Sequence, residues 1–196
     1  MSWKIKFLAA LVVAPAFTLA AEKHVAPPVP DNLMVPAGNR LFIVGHAEGT
    51  QNYICLPSGT AFKWVQFGPQ ATLFNEHGHQ IMTHFLSPNP AENGTPRAAW
   101  QDSRDTSSVW ASVQQESNDP QYVEPDAIKW LLLKVVGSEF GPRWGDRLAK
   151  TTYIQRINTA GGMAPPTGCS VAEDVGRKVL VPYTTDYLFY RAAKDR

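Results

Sequence analysis

The sequence predicts a mainly β protein, built as a single-domain antiparallel β-sandwich or barrel of about nine short strands and one disulfide. Three observations lead to this prediction. Short stretches in which apolar and polar side chains alternate recur along the chain, with turn-forming residues between them. Long segments with the 3.6-residue period of an amphipathic helix are lacking. Two cysteines stand far apart in the sequence.

The first segment, residues 1–20, is predicted to be a secretory signal peptide. Lys4 and Lys6 form a short basic region, and an apolar stretch from Phe7 to Ala20 follows it and ends in small residues. This stretch is shorter than the roughly 20 residues that a membrane-spanning helix needs. We therefore expect cleavage after Ala20 and a secreted or periplasmic location. The alternative is an uncleaved N-terminal anchor. No later segment is apolar enough to span a membrane.

Removal of residues 1–20 leaves 176 residues and changes the charge balance. The basic count falls from 18 to 16 against 17 acidic residues, so the net charge changes from +1 to −1. Nucleic acid is not an expected partner, because the clustered positive charge that dominates nucleic-acid binding is missing. A chain of this length falls in the single-domain range and is long enough to bury a core.

The chain divides into three parts after the signal peptide. Residues 21–40 are a proline-rich lead-in, residues 41–190 form one β-rich domain, and residues 191–196 are a C-terminal tail. Within the domain, alternating or short apolar runs predict strands at 41–44, 50–56, 61–67, 71–74, 80–85, 109–115, 151–158, 179–183 and 185–190. The apolar segment 128–136 fits a buried strand or a short helix equally well. Residues 87–105 are predicted to be a long loop, because they contain three prolines.

The two cysteines, Cys55 and Cys169, are predicted to form one disulfide, because an exported protein with an isolated pair of cysteines normally bridges them. The alternative is a catalytic or metal-bound thiol. Neither cysteine has the CxxC or CxxH spacing that would favour this alternative.

The histidines raise the question of a metal site. His77 and His79 would share one face of a strand and could ligate one ion together with His46 or a carboxylate such as Glu76. His84 follows His79 at an odd offset, which places these two on opposite faces. We therefore expect no metal site and no cofactor: His77 and His79 flank a turn around Gly78, and His84 is satisfied inside the sheet.

Other chemistry has little support in the sequence. A GxSxG nucleophile elbow and a glycine-rich phosphate loop are both missing. Most of the tryptophans are expected in the core. Trp100 is the exception, because it lies in the predicted loop 87–105, and loops carry binding residues disproportionately. Trp100 is therefore a candidate for contacting an extracellular or cell-envelope ligand such as a polysaccharide.

Three segments together resemble a known family. They are Gly45 to Cys55 (GHAEGTQNYIC), Ile154 to Cys169 (IQRINTAGGMAPPTGC) and Val181 to Tyr183 (VPY). With them the chain resembles the domain of unknown function 3455 family, from about Val35 to Tyr190. The resemblance implies a small exported protein and no particular activity. It also draws attention to five polar positions in or beside the matching segments: His46, Gln51, His84, Arg156 and Asn158.

The chain departs from the family pattern at two places. Asp105-Thr106-Ser107 stands where the family tends to have Asp-Gly-Ser, and Ile128-Lys129 stands where a proline is usual before the tryptophan.

The functional expectation is an exported binding or structural module that recognises an extracellular or cell-envelope ligand. The candidate ligand-binding residues are Trp100, His46, His84 and Arg156. The alternative is a secreted hydrolase or metalloenzyme that uses His46 or His84.

Overall fold

Eight antiparallel strands close into a barrel in the computed structural model, which describes residues 25–193. Each strand pairs with its sequence neighbours, and β8 pairs with β1. The strands are β1 Asn39–Ser58, β2 Ala61–Phe74, β3 Gln80–Asn89, β4 Thr95–Asp102, β5 Ser108–Ser117, β6 Trp130–Glu139, β7 Thr151–Gly161 and β8 Lys178–Ala192. The predicted mainly β, single-domain fold with one disulfide is confirmed. Of the two predicted architectures, sandwich and barrel, the barrel is the correct one. The predicted signal peptide, residues 1–20, lies outside the described residues.

The strands are fewer and longer than the sequence indicated. β1 joins the predicted segments 41–44 and 50–56, and β2 and β8 each join two predicted segments as well. Short turn-prone or small residues inside these strands interrupt the alternation without ending the hydrogen-bonded ladder. The ambiguous segment 128–136 belongs to a strand, β6, so its helical alternative is wrong.

The prediction of a loop over residues 87–105 is also wrong. β3 continues to Asn89, one 3-10 turn covers Pro90–Glu92, and β4 begins at Thr95. Pro88 and Pro96 lie opposite each other in the β3–β4 pairing, close to the hairpin end. Proline is tolerated where a ladder begins or ends, so these two residues do not prevent the hairpin.

Two glycines of β1 lie opposite tyrosines of β8 and pack tightly against β2. Gly45 lies opposite Tyr187 and Gly49 opposite Tyr183 in the strand register. A Cβ atom on Gly45 would lie 2.8 Å from Cδ2 of Leu73, so no larger residue fits there without a shift. Tyr183 and Tyr187 are both buried. A Cβ atom on Gly49 would clash with the Gln70 backbone oxygen, so both glycines allow β1 to approach β2 closely.

The lead-in packs against the outside of the barrel rather than lying free. Leu33 is fully buried in a second apolar cluster with Trp130, Leu188 and Tyr190. Gln155 of β7 donates a hydrogen bond from Nε2 to the Leu33 backbone oxygen at 2.7 Å. The barrel wall is thus covered on this side. Among the helices that the structure describes, none is long and apolar enough to cross a membrane.

The two ends of the barrel differ. We call the end with turns 75–79, 103–107 and 140–150 the plug end, and the end with connections 59–60, 90–94, 118–129 and 162–177 the cavity end. At the plug end the Arg147 guanidinium lies 3.2 Å from the buried Asp102 carboxylate. Ser107 Oγ accepts a hydrogen bond from the Leu148 backbone N–H, and the Leu148 side chain completes the core.

Thr106, in the turn of the plug end, has a φ of 59°. This is the left-handed region, which is unfavourable for a β-branched residue and favours glycine. The family that this chain resembles tends to have glycine here, so Thr106 introduces backbone strain at this turn.

Candidate functional site

A cavity of about 210 Å³ lies inside the barrel near the cavity end. One side of its lining is apolar and reaches the surface: Phe67, Leu86 and Val113 keep 40%, 44% and 51% of their area exposed. Isolated exposed apolar side chains are ordinary, but three around one cavity form an apolar rim. The rim consists of these three residues.

Arg156 on β7 lies on the other side of the cavity. It stands opposite Leu131 of β6 and Tyr187 of β8 in the strand register. Its Nε and Nη2 atoms donate to the Lys129 backbone oxygen at 3.2 and 2.7 Å, which fixes the plane of the guanidinium. No Asp or Glu within residues 25–193 forms an ion pair with Arg156. Its positive charge is held in place without a matching carboxylate.

His84 on β3 is stacked on Trp100 of β4 in the cavity wall. The two ring centroids are 4.3 Å apart and the planes differ by 12°, while Tyr187 contacts both rings edge-on. His84 Nδ1 lies 2.9 Å from the Ala99 backbone oxygen. A carbonyl oxygen only accepts, so Nδ1 carries the proton and Nε2 of the neutral ring is an acceptor.

Burial is the main reason why the pKa of His84 is lowered to about 3. The hydrogen bond to Ala99 acts in the opposite direction, and the charge of Arg156 lowers the pKa further. His84 is therefore neutral at neutral pH, and its predicted position inside the sheet agrees with its burial.

Trp100 is fully buried and belongs to a strand. The exposed loop position expected from the sequence is therefore wrong. The side chain nevertheless lines the cavity, and its indole Nε1–H is buried without an acceptor among the residues of the structure. A buried donor without a partner costs about 1–3 kcal/mol. A role of Trp100 in ligand binding remains a prediction, now as an inward-facing residue of a cavity.

The tyrosines around Arg156 are held in the neutral form. Burial raises the pKa values of Tyr53, Tyr183 and Tyr187, and the Arg156 charge lowers each of them by less. The Tyr53 hydroxyl donates to the Gly162 backbone oxygen at 2.7 Å. Among the described residues that line the cavity, Arg156 is the one charged at neutral pH, and none is acidic.

Gln51 supplies a further polar group of the cavity. Its side-chain oxygen accepts a hydrogen bond from Gln66, and both residues line the same space. Of the five polar positions indicated by the family resemblance, the structure thus brings three together: Gln51, His84 and Arg156.

The other two positions, His46 and Asn158, meet on the outer surface. His46 Nδ1 lies 2.6 Å from Oδ1 of Asp186, and Asn158 donates to Oδ2 of the same carboxylate at 2.8 Å. Half of the His46 side chain is exposed. His46 does not line the cavity, so the structure separates it from His84 and Arg156.

His77 and His79 belong to the turn between β2 and β3. Asn75 Oδ1 accepts hydrogen bonds from their backbone N–H groups at 3.0 and 2.9 Å, which organises the turn around Gly78. Within the part of the chain that the structure describes, no three His, Cys, Asp or Glu side chains are grouped as metal ligands.

The disulfide connects β1 to the long connection 162–177 at the cavity end. Cys55 and Cys169 are bonded, with Cα atoms 5.5 Å apart, as predicted. Trp64 Nε1 donates to the Thr167 backbone oxygen at 3.0 Å and adds a second attachment. Both cysteines are used in this bond, so the alternative of a catalytic or metal-bound thiol is wrong.

Three tyrosines were not identified from the sequence: Tyr187, which lines the cavity, and Tyr53 and Tyr183, which lie near Arg156. One signal was available: Tyr183, Tyr187 and Phe189 are separated by even numbers of residues, so they share one face of β8. The aromatic enrichment was visible, but the direction of that face was not.

The burial of His84 predicts a pH-dependent stability. Below its usual pKa of 6.5 the unfolded chain binds a proton at this residue, while the folded protein does so only near pH 3. The free energy of unfolding should therefore fall by about 1.4 kcal/mol per pH unit as the pH drops through this window. Urea unfolding between pH 7 and pH 4 measures the slope.

The matched comparison is between His84→Phe and the exposed turn variant His79→Gln. We expect His84→Phe to reduce the slope by about 1.4 kcal/mol per pH unit, the contribution of one proton, and His79→Gln to leave the slope unchanged. Identical slopes in the wild type and His84→Phe would show that His84 is not a buried neutral group.

Comparison with known proteins identifies the family of the chain. No curated protein and no solved structure matches the chain. One family model matches residues 36–191, which covers β1 to β8 almost completely. The chain therefore belongs to the family described as Protein of unknown function (DUF3455).

Proposed function

We propose that this protein is an exported binding protein that takes up one small molecule in the barrel cavity. The observation that carries the proposal is the composition of the cavity, which combines an exposed apolar rim with the polar side chains of Gln51, Gln66 and Arg156. Ligand sites typically combine mostly apolar walls with a few polar groups. An eight-stranded barrel has an interior just large enough for its own side chains or for one small ligand.

The size of the cavity limits the ligand. Its volume of about 210 Å³ is below the roughly 300 Å³ at which sites for drug-sized molecules begin. Trp100 lies inside and cannot serve as a flat platform for a long polysaccharide on the surface. A small component of the cell envelope or of the external medium fits these limits better than a polymer.

The proposed location outside the cytoplasm rests on two features. Residues 1–20 have the charge and hydropathy pattern of a signal peptide. The disulfide favours an oxidising compartment, since such bonds are rare where thiols are kept reduced. The cleaved N-terminus of the native protein, determined by mass spectrometry, tests this part, and an intact Met1 would contradict it.

A fragment screen read out at Trp100 tests the proposed binding. The probes are small neutral and anionic ring compounds, and the signal is the indole N–H resonance of Trp100, assigned by its loss in Trp100→Phe. We expect a subset of probes to shift this resonance. Ala98 lines the cavity, so Ala98→Phe should fill the space and abolish the shift.

Ala91→Phe is the matched control, because Ala91 is exposed on the 3-10 turn Pro90–Glu92 and does not line the cavity. It should bind as the wild type does. A screen in which no probe moves the Trp100 resonance, or shifts that persist unchanged in Ala98→Phe, would overturn the proposed binding function.

A further inference from the structure

We propose that the ligand of this cavity is a small organic monocarboxylate, whose carboxylate pairs with Arg156 and whose apolar body lies against the rim. This inference rests on the proposed binding function and adds the chemical class of the ligand. It starts from a charge that is fixed, partly enclosed and not matched by a carboxylate among residues 25–193.

The surroundings of Arg156 explain why no side chain among residues 25–193 neutralises it. The nearest main-chain partner, Lys129, offers a carbonyl oxygen, which carries no formal charge. The Lys129 ammonium is itself paired with Glu116, so the charge of Glu116 is already used. Asp186, on the opposite side of the β7–β8 wall, is shared by His46 and Asn158.

A second positive charge stands at the rim. Lys178 Nζ lies 5.4 Å from the centroid of the Phe67 ring. Together with Arg156 it gives the entrance and the interior the same sign, while no acidic residue described by the structure lines the cavity. An anion is therefore attracted both on approach and after entry.

The geometry favours a carboxylate among the anions. A guanidinium is a planar fork that matches a carboxylate with two parallel hydrogen bonds. Nε and one N–H of Nη2 are used on Lys129, so this contact falls to Nη1 and the second N–H of Nη2. One negative charge neutralises Arg156, whereas a dianionic phosphate would leave a net charge in a partly buried site, which is costly.

The apolar side of the cavity limits the rest of the ligand. The rim and the inner residues Leu131 and Leu133 offer no charge, so the remainder of the molecule is expected to be apolar. Burial of its apolar surface there favours binding. A ligand with a charge at each end would leave one of them unpaired against the rim.

Matched ring compounds separate the charge from the shape. We expect the wild-type protein to bind benzoate at least tenfold more tightly than benzamide, which has nearly the same shape and no charge. Calorimetric titration or the Trp100 indole resonance provides the dissociation constants. Phenyl phosphate is the third probe and is expected to bind more weakly than benzoate.

Arg156→Gln should remove the preference for benzoate and keep the binding of benzamide. Arg156→Lys keeps the charge without the fork, so it should retain part of the preference. Arg143→Gln is the control, because Arg143 lies at the plug end and does not line the cavity. Melting temperatures show that each variant is folded.

The possible results separate the two proposals. Equal binding of benzoate and benzamide by the wild type, or a preference that survives Arg156→Gln, would overturn the carboxylate assignment and leave small-molecule binding intact. Tighter binding of phenyl phosphate than of benzoate would also overturn it. Binding of none of the three probes, together with the silent fragment screen described above, would overturn both proposals.

Discussion

Loss of the Cys55–Cys169 disulfide is expected to lower the free energy of unfolding by about 4–5 kcal/mol. The bond joins residues that are 114 positions apart, so it closes most of the domain into one loop. Cross-linking over such a distance restricts the unfolded chain strongly, and the cost of removing the restriction grows with the logarithm of the loop length. Urea unfolding with and without a reductant measures the difference.

The double variant Cys55→Ser, Cys169→Ser is the control for this experiment. It should show the reduced stability without any reductant, and addition of the reductant should change nothing further. A reduced protein as stable as the oxidised one would mean that the bond does not constrain the unfolded chain in the expected way. The folded barrel itself should persist at moderate temperature, since its ladders between adjacent strands do not depend on the bridge.

The β class and the disulfide could be predicted from the sequence because both depend on local or compositional signals. Alternation along Thr151 to Asn158 predicts β7 directly, and each cysteine of an isolated pair has one obvious partner. β4 was missed because Pro88 and Pro96 were interpreted as loop residues. Their position opposite each other at a hairpin end is a property of the pairing and not of either segment alone.

Closure of the barrel could not be predicted in the same way. It depends on the pairing of β1 with β8, in which Gly45 meets Tyr187 across most of the chain length. Local alternation gives the period of a strand but not its partner or which of its two faces points inward. The sequence therefore predicts a sandwich and a barrel equally well, and only the strand register distinguishes them.

The candidate site shows the same limit. Arg156 and His84 were selected because they lie in or beside segments typical of the family, and the structure places both in one cavity. His46 was selected on the same grounds, but the inward position of its neighbours Gly45 and Ala47 turns it to the outside. The parity of a residue within its strand, rather than its chemistry, decides whether it reaches the cavity.

Trp100→Ala is expected to lower the free energy of unfolding by about 3–5 kcal/mol, the usual cost of truncating a buried aromatic side chain. Trp100 has no exposed area, and its ring contacts His84, Tyr187 and Phe189. Alanine would remove these contacts and leave a void that continues the existing cavity. Urea or thermal unfolding at neutral pH, where His84 is neutral, measures the effect.

Trp144→Ala is the matched control, because Trp144 is 85% exposed in the connection between β6 and β7. Both tryptophan and alanine would occupy the same left-handed backbone conformation at this position, φ 59°, so the strain largely cancels. The free energy of unfolding of Trp144→Ala should differ from that of the wild type by no more than about 0.5 kcal/mol. If Trp100→Ala had an equally small effect, Trp100 would not be a core residue. Its burial in the cavity wall would then be contradicted. If the large difference between the two variants is observed, the packing of Trp100 against His84, Tyr187 and Phe189 is a main part of the stability of the barrel.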